Sequence, residues 1–158
     1  MSSPSTSQSP QQLAEQVAAA MWPRDQAPAL LGMQLLAIGP GTAKIAMPVR
    51  PDMTNGHHTC HGGIIFTLAD TAFAYACNSY NQTTVAAAAH IDFLSPGKAG
   101  EVLIATATEQ ALKGRSGVYD VSVHGEDGRL VALFRGKAQR IGGCVIEHPQ
   151  DNNPGEQT

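Results

Sequence analysis

From Asn55 to Asp70 the chain reads NGHHTCHGGIIFTLAD. A polar loop rich in His and Gly runs into an apolar segment. There and just beyond, Ile65, Leu68, Ala69, Ala72, Phe73 and Ala76 recur at spacings of three and four. That period predicts a helix from Gly62 to about Ser79 that buries one stripe. The segment is rich in Ala and other small residues, so a flat layer can pack closely on it. Glycines at the helix start leave backbone N–H groups bare, at the end where the helix dipole favours negative charge. Such an end can hold an oxyanion. A single carboxylate, Asp70, follows eight positions after Gly62, among Phe66, Ala69, Phe73 and Ala74. An acid in those surroundings is costly unless it is paired, hydrated or used. Amide donor and carboxylate together point to acyl-transfer chemistry on a carbonyl.

Working outward, residues 33–38 and 42–49 read as two short strands joined at Gly39-Pro40-Gly41, a hairpin. Upstream, Leu13, Val17, Ala20 and Met21 set an amphipathic helix over residues 11–22, which Pro23 ends. Downstream, four strand-like runs follow. Residues 84–94 stop at Ser95-Pro96-Gly97. Residues 101–112 alternate, with Val102, Ile104, Thr106 and Thr108 on one side. Residues 115–124 carry Tyr119, Val121 and Val123 on one face. Residues 129–141 carry Leu130, Ala132 and Phe134 on one face, after the hairpin signal Glu126-Asp127-Gly128. An antiparallel sheet of this size must cover a face, and one long helix is available to do it. The expected class is α+β, with the sheet wrapped round that helix. The expected organisation is a single domain over 11–143, flanked by Ser/Pro/Gln-rich and polar tails at 1–10 and 144–158 that read as disordered.

With 158 residues and 42% hydrophobic content, the chain can build one globular core. A net charge of −3 without any basic run argues against nucleic acid or an anionic membrane as main partner. No apolar run approaches the ~20 residues of a membrane span, and no signal-like start is visible. Cys60, Cys77 and Cys144 are odd in number and lack CxxC spacing, which fits a reducing, cytoplasmic setting.

The element order, with Asn55-Gly56, Cys60-His61-Gly62-Gly63, the run LADTAFAYACNS from Leu68 to Ser79, Ile91-Asp92-Phe93-Leu94-Ser95-Pro96-Gly97 and residues 131–137, resembles the hotdog-fold acyl-CoA thioesterases of the phenylacetate-degradation (PaaI-like) type. The resemblance covers roughly residues 25–143. It implies hydrolysis of aromatic acyl-CoA thioesters such as phenylacetyl- or hydroxyphenylacetyl-CoA, in phenylacetate catabolism. Asp70 would be the catalytic carboxylate, as general base or nucleophile. The Gly62 amide would polarise the thioester carbonyl, Asn55 would position carbonyl or water, and His61 would sit beside the leaving sulfur. Gly63 is a candidate substrate-binding residue, and Lys113 and Arg115 are candidates for coenzyme A phosphates. No metal and no cofactor is implied, coenzyme A being part of the substrate. The family forms homotetramers from tight dimers. Many relatives carry a Ser or Thr on the strand after the helix to hold water; residues 85–89 read VAAAA here and offer no hydroxyl.

Given those roles, helix geometry adds a constraint. Eight residues at ~1.5 Å rise separate Gly62 from Asp70 by ~12 Å, too far for both to act on one carbonyl carbon. The expected arrangement is a homodimer with shared active sites, Gly62 from one chain and Asp70 from the other.

The same residues admit other readings. His57, His58 and His61 beside Cys60 invite a metal site, but no second ligand cluster accompanies them. Cys60 next to His61 invites a thiol nucleophile, though sequence neighbours rarely face each other. Asp52 and His57 have the D-x4-H spacing of hotdog enoyl-CoA hydratases without the flanking pattern. His90 and Asp92, on one face of the strand after the helix, read as a surface pair, with lining of the acyl pocket as the alternative. A non-catalytic acyl-CoA-binding protein on the same fold is the remaining alternative, with the missing hydroxyl as its support.

Overall fold

The computed structural model describes residues 8–147; the tail readings for 1–7 and 148–158 lie outside them. Helix α1, Pro10–Met21, opens on a capping box in which the Ser9 hydroxyl accepts the Gln12 amide and Gln12 Oε1 accepts the Ser9 amide. The ordered fold therefore begins before residue 11. A tight turn over Trp22–Arg24 leads to a second, five-residue helix α2, Gln26–Leu30. Sequence reading missed α2, since five residues containing Pro28 show no period. Trp22 meets Tyr75 edge-on at 5.3 Å and ties this segment to the core.

Six strands follow: β1 Gln34–Gly39, β2 Thr42–Pro48, β3 Thr84–Phe93, β4 Val102–Lys113, β5 Ser116–His124 and β6 Leu130–Arg140. They form one antiparallel sheet in the order β1-β2-β4-β5-β6-β3. Between β2 and β3 lies the long helix α3, Gly62–Asn78. The expected α+β hotdog architecture is the one present.

The sheet wraps α3 because both present small or fitted side chains at the contact. Leu68, Ala69, Ala72 and Ala76 of the helix are fully buried against Ile45, Leu103, Ala105, Ala107 and Val121. On β4 the inward row is Leu103, Ala105 and Ala107, and Val102, Ile104, Thr106 and Thr108 point away from the helix. Alanines let the helix lie close at the sheet's centre; burying each large apolar side chain stabilises the fold by about 1.5–3 kcal/mol. Gly136 on β6 leaves room for Phe73, whose ring would stand 2.8 Å from a Cβ there. Phe73 in turn packs on Tyr119 and Phe134.

Two features position the site. β3 is an edge strand, with a bulge between Ala86 and Ala88, and it is exposed from Val85 to His90. At the far end of α3, the Asn81 carboxamide holds the Val145 and Ile146 amides at 3.1 and 2.8 Å, so the ordered fold runs past residue 143. Cys144 is exposed, whereas Cys60 and Cys77 are buried. Among the described residues, no helix is long and apolar enough to cross a membrane.

Candidate active site

The loop before α3 is wound around Asn55. Its backbone amide donates to Thr59 O at 2.8 Å, and its side-chain Oδ1 accepts the His57 amide at 2.9 Å and the Thr59 amide and hydroxyl at 3.3 Å each. Three donors on Oδ1 fix the carboxamide's orientation and leave Nδ2 as its uncommitted donor. His58 sits at φ 61°, where the loop turns. The loop is then pinned at both flanks, with Cys60 N donating to Gly97 O and His61 N to Met53 O.

His61 is the N-cap of α3. Its Nδ1 accepts the Gly63 amide at 3.0 Å, which places the ring proton on Nε2. The Gly63 amide is thus committed to His61. The Gly62 amide has no acceptor among the described residues and is the open donor at the positive end of the helix. A Cβ on Gly62 would stand 3.1 Å from Phe93 Cζ, so the ring of Phe93 lies directly over this glycine.

Asn55, Gly62, Ile65 and Phe93 wall a cavity of about 340 Å³, closed on one side by Ser95 and Pro96. Arg129 holds that side in place: it donates to Pro96 O at 3.1 Å and pairs with Glu101 at 2.6 Å and Asp127 at 2.7 Å. One chain therefore brings Gly62 and Asn55 together. It does not bring Asp70 or His61 to the same cavity.

Asp70 lies on the one stripe of α3 its own sheet leaves uncovered, with Gly63, Thr67 and Ala74. It is half-buried, makes no hydrogen bond or ion pair among the described residues, and burial holds its carboxyl above the usual aspartate range. The Thr67 hydroxyl, one turn earlier, donates to Gly63 O at 2.9 Å and can only accept from a further group. The Thr84 hydroxyl at the head of β3 is spent on Gln82 O. No hydroxyl is offered by residues 85–89, as the sequence indicates.

The remaining candidates separate by geometry. Asp52 is exposed and bonded to Arg50 at 3.0 Å, which lowers its pKa; it does not line the cavity, and His57 is exposed on the loop. That is no hydratase pair. Burial pushes the Cys60 thiol up to about 11, which suits an inert side chain and not a nucleophile. His90 and Asp92 meet at 3.1 Å on the open surface. Among the described residues, no three His, Cys, Asp or Glu side chains gather as a metal site. Arg115 donates to Arg140 O at 3.1 Å and, with Arg140, lines a cavity of about 660 Å³ reached from Tyr80 and Gln82, at the opposite end of α3 from Gly62. Lys113 is exposed nearby, at the end of β4. Sequence reading missed Phe93 as a site residue: its only signal was an aromatic side chain ending an edge strand just before Ser95-Pro96-Gly97.

Comparison with known proteins places the chain in a family. The family model for the thioesterase superfamily matches residues 57–132. The acyl-coenzyme A thioesterase PaaI of Escherichia coli is 48% identical over 130 residues, spanning 82% of this chain and 93% of that one. The solved structure of the E. coli PaaI protein from the phenylacetic acid degradation operon superposes with a TM-score of 0.85 at 47% identity, covering 86% of this chain and 99% of that one. The TT0310 protein of Thermus thermophilus gives a TM-score of 0.72 at 42% identity, covering 75% and 99%.

Proposed function

The chain belongs to the thioesterase superfamily and is a thioester hydrolase; from that premise we propose that it hydrolyses aromatic acyl-CoA thioesters, phenylacetyl- or hydroxyphenylacetyl-CoA, to the free acid and coenzyme A. The observation that carries the reading is the pairing of an open Gly62 amide and the Asn55 carboxamide in one cavity with an unpaired, half-buried Asp70 outside it. The E. coli relative from a phenylacetic acid degradation operon supports the aromatic acyl group and a role in phenylacetate catabolism.

In the proposed mechanism the thioester oxygen accepts the Gly62 N–H, whose direction along the helix dipole stabilises negative charge as it develops. Asn55 Nδ2 positions the carbonyl or the water. Asp70 activates water as general base, or attacks directly, and the tetrahedral intermediate collapses with release of the coenzyme A sulfur. Thioesters have weak resonance stabilisation and a good leaving group, so no metal or separate cofactor is required.

Asp70 must come from a second copy, because ~12 Å of helix separates it from Gly62. Two surfaces support a dimer: the unpaired edge of β3 and the uncovered stripe of α3 that carries Asp70. Two such dimers would make the tetramer. Lys113 and Arg115, neither in an ion pair among the described residues, would meet coenzyme A phosphates. Three free cysteines are consistent with the cytoplasm.

The test is steady-state hydrolysis across a panel of CoA thioesters. Highest kcat/KM on phenylacetyl- or hydroxyphenylacetyl-CoA is the expected result. Binding of acyl-CoA without turnover would replace the enzyme by a carrier, and a preference for straight-chain groups would remove the aromatic assignment.

A further inference from the structure

We propose that Phe93 is the residue that sets acyl-group selectivity, its ring forming the wall against which the acyl portion of the substrate lies. The inference rests on the reading of Gly62 as the oxyanion donor. Seven of the eight aromatic residues are committed elsewhere. Trp22, Phe66, Phe73, Tyr75, Tyr119 and Phe134 pack ring against ring, and Tyr80 bonds Glu109. Phe93 has no ring partner among the described residues and is 53% exposed. The composition, with only 5% aromatic residues, gives no hint of a stacking platform; the fold makes one by leaving this ring open.

Its placement decides what it touches. The ring lies 3.1 Å from the position a Cβ would take on Gly62, and both residues wall the same cavity. A carbonyl oxygen resting on the Gly62 amide puts the carbonyl carbon and its substituents within van der Waals reach of the ring. Ile65 supplies a second apolar wall and Asn55 the polar one. A flat acyl group gains stacking or edge-to-face contact there beyond what its area alone provides, and a straight chain does not. Phe93 also closes β3, an edge strand, so its position is set by pairing with Ala132 on β6 and not by a mobile loop.

The experiment compares full-length Phe93→Ala and Phe93→Leu with the parent in kcat/KM on phenylacetyl-CoA and hexanoyl-CoA. Leu keeps apolar bulk and loses the ring, and it guards against a folding artefact; circular dichroism and gel filtration check both variants. The expected result is a fall in the phenylacetyl-to-hexanoyl ratio of about three- to tenfold in both, the range a ring–ring contact supplies. A ratio within twofold of the parent in both variants overturns the inference, including the case where both rates fall equally because the ring touches the sulfur side. A parent with no thioesterase activity overturns the proposed function, and this inference with it; an active parent with an unmoved ratio overturns this inference alone.

Discussion

His61 Nδ1 accepts the Gly63 amide at 3.0 Å, and this one bond decides which helix donor stays open. With Gly63 capped, Gly62, which lines the cavity, is left with the unpaired amide. His61 therefore acts on the site through the helix start. Replacing it with Ala should cost about 1 kcal/mol, the usual loss of an N-cap, and lower activity by loosening the donor. His61→Asn keeps a capping oxygen. It should restore the denaturation midpoint and at least a third of kcat/KM, read by urea unfolding and steady-state assay. A variant that recovers stability but not rate would move His61 from capping into the chemistry.

Gly62 offers a sharper separation of backbone from side chain. It is the first residue of α3, a position where proline is well tolerated. His61 before it has ψ 134°, which a following proline accepts. Gly62→Pro should fold and lose the donor while adding a Cβ beside Phe93, with kcat falling about 10²–10³-fold, as for other oxyanion donors. Gly62→Ala adds a Cβ beside the exposed Phe93 ring but retains the N–H. Its loss should be at least tenfold smaller. Equal losses in the two variants would show that crowding, not the missing donor, is responsible.

Asp70 links activity to stability with opposite signs. Burial raises its pKa in the folded chain, so the native state binds this proton more tightly than the unfolded state. Stability then falls as pH rises from the ordinary aspartate value of 3.8 through the raised one, and an ionised, unpaired Asp70 is a net cost above it. In the role proposed for Asp70 the carboxylate must be ionised, so kcat should rise with pH over that window. Asp70→Asn should cut kcat by about 10²–10⁴-fold while raising Tm near neutral pH. The gain in Tm should vanish below pH 3.8, where the parent's Asp70 is protonated in both states. An unchanged or lowered Tm at neutral pH would mean that Asp70 has a stabilising partner.

The periodic elements were legible because their patterns are long. The stripe from Ile65 to Ala76 and the alternation of Tyr119, Val121 and Val123 each announce a buried face. The inward row of β4 was not legible, since alanines look neutral until a helix is known to lie close to them. Within the site, Asn55, Gly62 and Asp70 stand out as residue types, yet their division between one cavity and an outer stripe is a matter of three dimensions. The capping of Gly63 by His61 and the approach of Phe93 to Gly62, 31 positions away, depend on rotamers and strand placement that no local pattern encodes.

The uncovered stripe with Gly63, Thr67, Asp70 and Ala74 makes a shared site testable by mixing two dead variants. Asp70→Asn retains the Gly62 donor, and Gly62→Pro retains the carboxylate. Each homodimer is defective at both sites. In a mixed dimer, one site combines Gly62 of the first chain with Asp70 of the second and is intact, while the other carries both defects. Equal amounts unfolded and refolded together give about half mixed dimers by random pairing, each with one of two sites working. Recovery should approach about a quarter of parental kcat, against almost none for either variant refolded alone. If a single chain supplied both groups, no intact site could form and mixing would restore nothing. The test needs only the difference between those outcomes, because a ~12 Å separation along one rigid helix leaves no intermediate arrangement.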